Sequence, residues 1–398
     1  MKRSISKIAS AVRASTTLAI DAMYKKMKAE GEDVIGFGAG EPDFPTPDLI
    51  KEAGIAAIQN NQTKYTPVAG TEAVRKAVCA RLLEDCGLSY EPSQILVSPG
   101  AKYNLYLALI CLLNPGDEVI LPAPYWVSYY EMIRMAGGIP VIVETTEESG
   151  LKITADMLKN AITDKTKALI LNNPSNPTGM VYSREELTAL GRVCVETGVY
   201  VISDEIYYKL VYGNVKFVSF PSICDEFKDL TILINGVSKT YAMTGWRIGF
   251  AAAPSEIAKV MANYQSHSTS NPCSISQEAA RAAMTGPQDC VEAMRKEFEK
   301  RRDFIYTRIG GMERVSCLRP DGAFYIMMNL SRLMGTTMYG EKVETSDDFA
   351  RLLLNLGKVA VVPCTGFGAP NYVRLSYASA MKDISAGLDR IEAFIQNA

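Results

Sequence analysis

The sequence predicts an α/β fold: a large, mostly parallel sheet with helices on both sides, followed by a smaller α+β part. Three observations carry this reading. Short apolar, β-branched runs recur at 94–98, 118–121, 140–144, 167–172, 199–204, 231–235 and 247–252, with helical segments between them. Most of these runs lack polar alternation, which is expected of strands covered on both faces. Beyond about residue 285 the alternation stops and a long charged amphipathic stretch begins. A length of 398 residues fits two or three domains.

Taken in order, the first 30 to 45 residues read as helix and then as extended chain through 33–40, able to pack with either part. Residues 1–20 carry Lys2, Arg3, Lys7 and Arg13, several serines and no acid, a composition like that of a transit peptide. The run 94–98 leads through Ser98-Pro-Gly-Ala-Lys102 into a helix beginning near Ala101. Ser183-Arg-Glu-Glu186 has the capping-box spacing that opens a helix to about 196. The C-terminal third then predicts a helix over 287–309, strands at 323–328, 359–363 and 372–377, and helices over 346–356 and 382–396.

Composition removes several classes of function. Charged residues make up 22% and the formal net charge is −2, so no basic excess points to nucleic acid or anionic membrane. The longest apolar run, 105–113, is too short to span a bilayer. His267 is the one histidine, which leaves no histidine-rich metal site and reads as a residue without a catalytic role. The nine cysteines are scattered, odd in number and without a CxxC pair. They read as reduced thiols serving as small core hydrophobes, which points to the cytoplasm.

Four motifs can carry chemistry. In 237–249, Lys239 leaves a strand between Ser238 and Arg247, as an amine nucleophile beside a phosphate seat would, or as a plain loop lysine. The segment Asn172-Asn-Pro-Ser-Asn-Pro-Thr-Gly179 is a rigid loop that either presents Asn176 to a ligand or only turns the chain. Asp204 closes a buried strand with Tyr207 nearby, where ligands of open α/β sheets bind. A carboxylate there needs a cationic partner, either a protonated ring nitrogen or a neighbouring Arg or Lys. Ser98-Pro-Gly-Ala-Lys102 sets Gly100 and Ala101 at a helix N-terminus that suits an anion. The chain has no GxGxxG and no GxxxxGK[ST]. Together the four describe a lysine nucleophile, a phosphate seat, an acid for a ring nitrogen and an amide–phenol pair for a ring oxygen. A pyridoxal 5′-phosphate site needs this set.

The chain resembles the class I, fold-type I pyridoxal-phosphate aminotransferases, in the prokaryotic-type aspartate aminotransferase subgroup. The resemblance rests on Gly38-Ala-Gly-Glu-Pro-Asp-Phe44, Lys64-Tyr-Thr-Pro67, Asn173-Pro-Ser-Asn-Pro-Thr-Gly179, Ser203-Asp-Glu-Ile-Tyr207, Ser238-Lys239, Met243-Thr-Gly-Trp-Arg-Ile-Gly249 and Tyr372-Val-Arg-Leu-Ser-Tyr-Ala378. These span nearly the whole chain, and Ala14-Ser-Thr-Thr-Leu-Ala-Ile20 also matches the start of mature family members.

The resemblance implies a large cofactor-binding domain over 46–290 and a small domain formed by 1–45 with 291–398. It implies that Lys239 bonds the cofactor and moves the α-proton, and that Asp204 pairs with the ring nitrogen. Asn176 and Tyr207 would contact the phenolic oxygen, and Trp126 would stack on the ring. Gly100, Ala101, Ser238 and Arg247 would hold the phosphate, with Lys102 adding charge there or recognising a substrate's distal carboxylate. Arg374 would take the α-carboxylate in a bidentate pair, and Gly40 would lie over the substrate. Tyr65 would reach the neighbouring subunit's cofactor, making the active unit a homodimer with shared sites. Amino acids and 2-oxo acids are the expected partners, aspartate and 2-oxoglutarate first. An aromatic or prephenate acceptor with a dicarboxylic donor is the alternative, and a catalytically silent binding protein a third reading. Two departures bear on substrate preference: Tyr103-Asn104 after Lys102, and Cys364 where relatives often have glycine.

Overall fold

The computed structural model describes residues 5–12 and 16–397. Part of the leader-like stretch therefore lies outside the described residues: Lys2, Arg3 and Arg13, and with them Ala14 and Ser15 of the family-like start. A first strand, β1 (Ile35–Gly36), precedes the main sheet. That sheet holds β2 (Ile95–Ser98), β3 (Glu118–Ala123), β4 (Ile139–Glu144), β5 (Thr166–Asn172), β6 (Tyr200–Asp204), β7 (Thr231–Gly236) and β8 (Gly249–Ala252), in the order β2-β8-β7-β6-β5-β3-β4. Each of the seven apolar runs became one of these strands, shifted by a residue or two at the ends. Only β8 runs against the rest, being antiparallel to both β2 and β7. The carboxyl ends of the other six therefore share one edge, and the start of β8 joins them there, with Gly249 opposite both Ser98 and Gly236.

Strand periodicity explains how this sheet is covered. In β7, Ile232 and Ile234 pack with the helices Ala101–Leu112, Val127–Met135 and Ser255–Ser266, while Leu233 faces Glu72–Cys86 and Ser274–Thr285. Each of these three side chains is fully buried, a gain of roughly 1.5–3 kcal/mol apiece. β4 departs from the expected burial. It is the edge strand, and Ile139 and Ile142 remain exposed. The helix Arg184–Thr197 starts on the capping box read from the sequence, with Ser183 and Glu186 bonding reciprocally, and ends on left-handed Gly198.

The second sheet is built from β9 (Ser316–Cys317), β10 (Tyr325–Asn329), β14 (Val362–Pro363) and β15 (Tyr372–Ser376), all antiparallel, in the order β14-β15-β10-β9. A short hairpin, β11 (Thr337–Met338) and β12 (Glu341–Lys342), lies between β10 and the helix Ser346–Gly357. The single strand expected at 359–363 is two. β13 (Val359–Ala360) pairs with β1, and β14 pairs with β15. The strand expected at 323–328 begins later, because Ala323 holds a left-handed φ of 57°. The β1–β13 pairing and the bond from the Ser376 N–H to the Phe37 carbonyl (2.9 Å) join the N-terminal segment to the C-terminal third.

The cysteines are all free, and the reading of them as small core hydrophobes holds for most: Cys194 and Cys364 are buried in the core and six others pack half-buried against it. The exception is exposed Cys273. His267 is an exposed helix cap. Among the described residues no helix is long and apolar enough to cross a membrane.

Candidate active site

A cavity of about 250 Å³ opens at the carboxyl edge of the main sheet. Its walls come from the loops that leave the strands: Ala101 and Lys102 after β2, Trp126 after β3, Asn176 after β5, Asp204 and Tyr207 at β6, Ser238 and Lys239 after β7, and Arg247 before β8. Gly40 and Arg374 enter from the other sheet's side of the chain. Two residues expected at the site do not line this cavity. Gly100 lies behind Arg247, and Tyr65 is 93% exposed on the surface.

Local backbone geometry explains the glycines. Gly100 holds φ +92°, and a Cβ there would fall 2.3 Å from Arg247 Nη2. A Cβ on Gly249 would meet the Ala101 nitrogen at 2.1 Å, so only glycine lets β8 approach the start of the helix Ala101–Leu112. That helix has no side-chain cap. The Tyr103 N–H bonds back to the Gly100 carbonyl at 3.1 Å, and the Ala101 and Lys102 N–H groups open the helix beside Ser238 and Arg247. Arg247 is anchored by donating from Nη1 to the Thr244 carbonyl at 2.7 Å.

Asp204 is 3% exposed. Its Oδ2 accepts from the Tyr129 hydroxyl at 2.6 Å and its Oδ1 from the Ile206 N–H at 3.2 Å. No Lys or Arg among the described residues forms an ion pair with it. Burial pushes its pKa up to about 6, against the hydrogen bonds from Tyr129 and Ile206 and the charge of Lys239. Lys239 moves the other way. Burial lowers its ammonium to about 8, with Arg374 and Arg247 acting in the same sense and Glu41 and Asp204 opposing. Its Nζ donates to the Gly40 carbonyl.

Arg374 is 2% exposed, yet no carboxylate meets it. Nη1 donates to Asn176 Oδ1 at 2.9 Å and Nη2 to the Gly38 carbonyl at 3.2 Å, while Nε has no partner. The guanidinium lies over the Tyr325 ring, 4.3 Å from its centroid. The Tyr207 and Tyr325 hydroxyls are 3.0 Å apart, and burial holds the Tyr207 phenol far above its ordinary pKa. Lys102 Nζ sits 4.6 Å from the Trp126 ring, its pKa lowered by burial and by Arg247.

The cavity thus offers a buried anion without a cation, a buried cation without an anion, an amine poised near neutrality and an anion seat at a helix start. A flat, phosphorylated ring with a protonatable nitrogen fits this donor set. Sequence reasoning missed Tyr129, Tyr325, Asn172, Ile206, Leu105 and Thr244. For Asn172 the signal was present, since it opens the Asn-Pro loop. Its side chain accepts from the Asn176 N–H and donates to the Asp204 carbonyl. Cys364 is buried among Leu151, Met180, Met327 and Phe367, consistent with packing.

The model of the family "Aminotransferase class I and II" matches residues 32–391. An aspartate aminotransferase from Geobacillus stearothermophilus is 50% identical over 382 residues, 96% of each chain. A probable aspartate/prephenate aminotransferase from Aquifex aeolicus is 44% identical over 398 residues and the full length of both. Among solved structures, the aspartate aminotransferase from Rhizobium meliloti superposes with a TM-score of 0.96 at 39% identity, covering 100% of both chains.

Proposed function

The chain belongs to the class I and II aminotransferases, and on that premise we propose that it transfers the amino group of aspartate to 2-oxoglutarate with pyridoxal 5′-phosphate. The observation that carries this reading is Arg374, a buried guanidinium with a free Nε beside an amine titrating near 8. Such a cation demands an anionic ligand, and a substrate α-carboxylate answers it in a planar bidentate pair.

When bound, the cofactor supplies an aldehyde that carries the amino group and a ring that draws electrons from the α-carbon. The N-terminus of the helix Ala101–Leu112, with Ser238 and Arg247 beside it and Gly100 in its turn, would hold its phosphate. Trp126 would pack on the ring, Asn176 and Tyr207 would donate to its phenolic oxygen, and Asp204 would accept from the ring N–H. Lys239 would hold the aldehyde carbon through its amine, the carbonyl oxygen leaving as water, and once a substrate amino group took its place the freed amine would move the proton at the substrate α-carbon. An ammonium lowered to about 8 keeps part of the population neutral near physiological pH, as that task requires.

Lys102 provides a second cation for the distal carboxylate, and Gly40 closes over the substrate. Tyr65 projects from the surface, and we assign it to the cavity of a second copy, which makes the working unit a homodimer. Sedimentation of the purified chain tests this assembly. The Aquifex relative's name motivates a second reading, with prephenate as the amino acceptor and the same two cations in use. Rates with 2-oxoglutarate, prephenate and phenylpyruvate, each against L-aspartate, decide between them. A cofactor spectrum that does not change on adding L-aspartate would overturn both.

A further inference from the structure

We propose that Tyr129 is a positioning residue that keeps the proton on the cofactor's ring nitrogen and braces Trp126 against the ring. The inference rests on the reading of Asp204 as the ring-nitrogen partner. Tyr129 touches both residues assigned to the ring. Its hydroxyl donates to Asp204 Oδ2 at 2.6 Å. Its ring meets Trp126 edge-on, with centroids 5.3 Å apart and planes at 86°. Both contacts follow from one local feature. Trp126 caps the helix Val127–Met135, and the Tyr129 N–H bonds back to the Trp126 carbonyl at 3.0 Å. The side chain at the third helical position therefore points under its own cap residue and toward the end of β6.

The hydrogen-bond inventory shows what the hydroxyl does. An ionised carboxylate has about four acceptor positions. Tyr129 and the Ile206 N–H each occupy one, on different oxygens. Acceptor capacity remains for a ring N–H. The two donors favour the charged carboxylate over its protonated form. A proton shared between ring nitrogen and Asp204 therefore rests on the nitrogen. Without the phenol, Asp204 becomes a stronger base and draws that proton toward itself. The groups facing Asp204 are Tyr129, Tyr207, Lys239 and, on the next residue, Glu205. Of these, only the phenol of Tyr129 bonds to its carboxylate. Glu205 titrates near neutrality on its own account, bound to Ser203 and the Phe220 N–H, so the measurement must be specific for aspartate.

The test compares wild type with Tyr129→Phe, which keeps the ring and removes the donor, and with 3-fluorotyrosine at 129, a stronger donor of nearly the same shape. With carbon-13 in the aspartate carboxyls of the cofactor-free full chain, the Asp204 resonance, assigned by its loss in Asp204→Asn, gives the titration midpoint. The midpoint should rise by about one pH unit in Tyr129→Phe and fall in the fluorinated protein. In the holoenzyme with nitrogen-15 in the cofactor ring, Tyr129→Phe should move the ring signal toward that of the unprotonated nitrogen. Tyr129→Leu should show the same carboxyl shift together with a redder Trp126 emission, which Tyr129→Phe leaves in place. An Asp204 midpoint unchanged in both Tyr129→Phe and the fluorinated protein would overturn the inference. A wild-type chain that binds no cofactor would overturn the function proposed above, while the carboxyl titration would still decide the role of Tyr129.

Discussion

Asp204 and Arg374 are two buried charges that line one cavity from two different sheets, and they are held in opposite ways. Asp204 ends β6 in the main sheet, and its donors are a phenol from the helix after β3 and the backbone N–H of Ile206. Arg374 lies mid-strand in β15, held by an amide and a carbonyl from distant segments and laid over an aromatic face. Neither meets an opposite charge, although breaking a buried ion pair costs roughly 3–5 kcal/mol in other proteins. The lesson is that neutral dipoles can hold a charge in place without cancelling it, so its field remains available to a ligand. The mostly parallel main sheet carries the half assigned to the cofactor, and the four-stranded sheet carries the half assigned to the substrate carboxylate.

The largest effect should come from the amine between them. Lys239→Ala removes both the bond to the cofactor and the proton carrier, so turnover should fall by at least about four orders of magnitude. Cofactor should still bind through the phosphate seat, as equilibrium dialysis would show. Residual turnover within a hundred-fold of wild type would mean that another base serves the α-carbon.

Asp204→Asn probes the main-sheet charge and separates function from stability. Turnover should drop by roughly a hundred- to a few thousand-fold, because the ring nitrogen loses its anionic partner. Stability of the cofactor-free chain should move the other way. Asp204 titrates near 6 when folded, against an ordinary 3.8. Between those values the folded chain binds the extra proton, so stability falls as pH rises through the window and stays lower above it. At pH 8, Asp204→Asn should therefore be more stable by about 3 kcal/mol, and near pH 3.5 the difference should vanish. Thermal melts at the two pH values check this. Equal melting points at pH 8 would show that the charge is not penalised.

The main-sheet half was far more legible in the sequence than the other. Its strands are continuous apolar runs, and each candidate residue sits within a few positions of a strand end, so spacing made Asp204, Lys239 and Asn176 candidates beside plain structural readings, and the family resemblance supplied their expected roles. The reversed β8 could not be read, because Gly249–Ala252 looks like any other buried run and its direction depends on a return loop through Arg247. Tyr129 was missed because its role depends on where the end of β6 lies, 75 residues away in sequence. Tyr325 was missed for a similar reason. In β10 its place next to Arg374 depends on an antiparallel register that sets Met327 opposite Arg374, which leaves Tyr325 on the same face one diagonal away. The split at Val361 arises from tertiary pairing as well, since two short β partners compete for one apolar run.

Arg374→Ala tests the four-stranded-sheet charge. It should lower kcat/KM by about a hundred-fold for every amino acid tested, through the loss of a bidentate, charge-assisted pair. Arg374→Lys should recover only part, since a point charge cannot reproduce the planar fork. Equal activity of the lysine variant and wild type would show that charge alone, without geometry, serves the α-carboxylate.

Lys102→Ala should have the smallest effect and the most selective one. Lys102 differs from both buried charges: the protein packed around it lowers its ammonium pKa, yet its side chain still reaches solvent, and the ammonium lies over Trp126 rather than in a hydrogen-bonded cradle. A flexible stem can follow a distal carboxylate at either of two chain lengths, which a site taking both aspartate and glutamate requires. Water partly screens such a contact, so its loss should cost about ten-fold in kcat/KM for dicarboxylic substrates. Alanine and phenylalanine, which have no distal carboxylate, should change by less than about three-fold. Salt adds a second check, because an exposed charge contact weakens with ionic strength. Raising salt should shrink the wild-type preference for aspartate over alanine and leave the Lys102→Ala ratio flat. If Lys102→Ala lowers kcat/KM equally for dicarboxylic and neutral substrates, and cofactor affinity falls with it, the ammonium supports the phosphate beside Arg247. In that case the preference for aspartate needs another source.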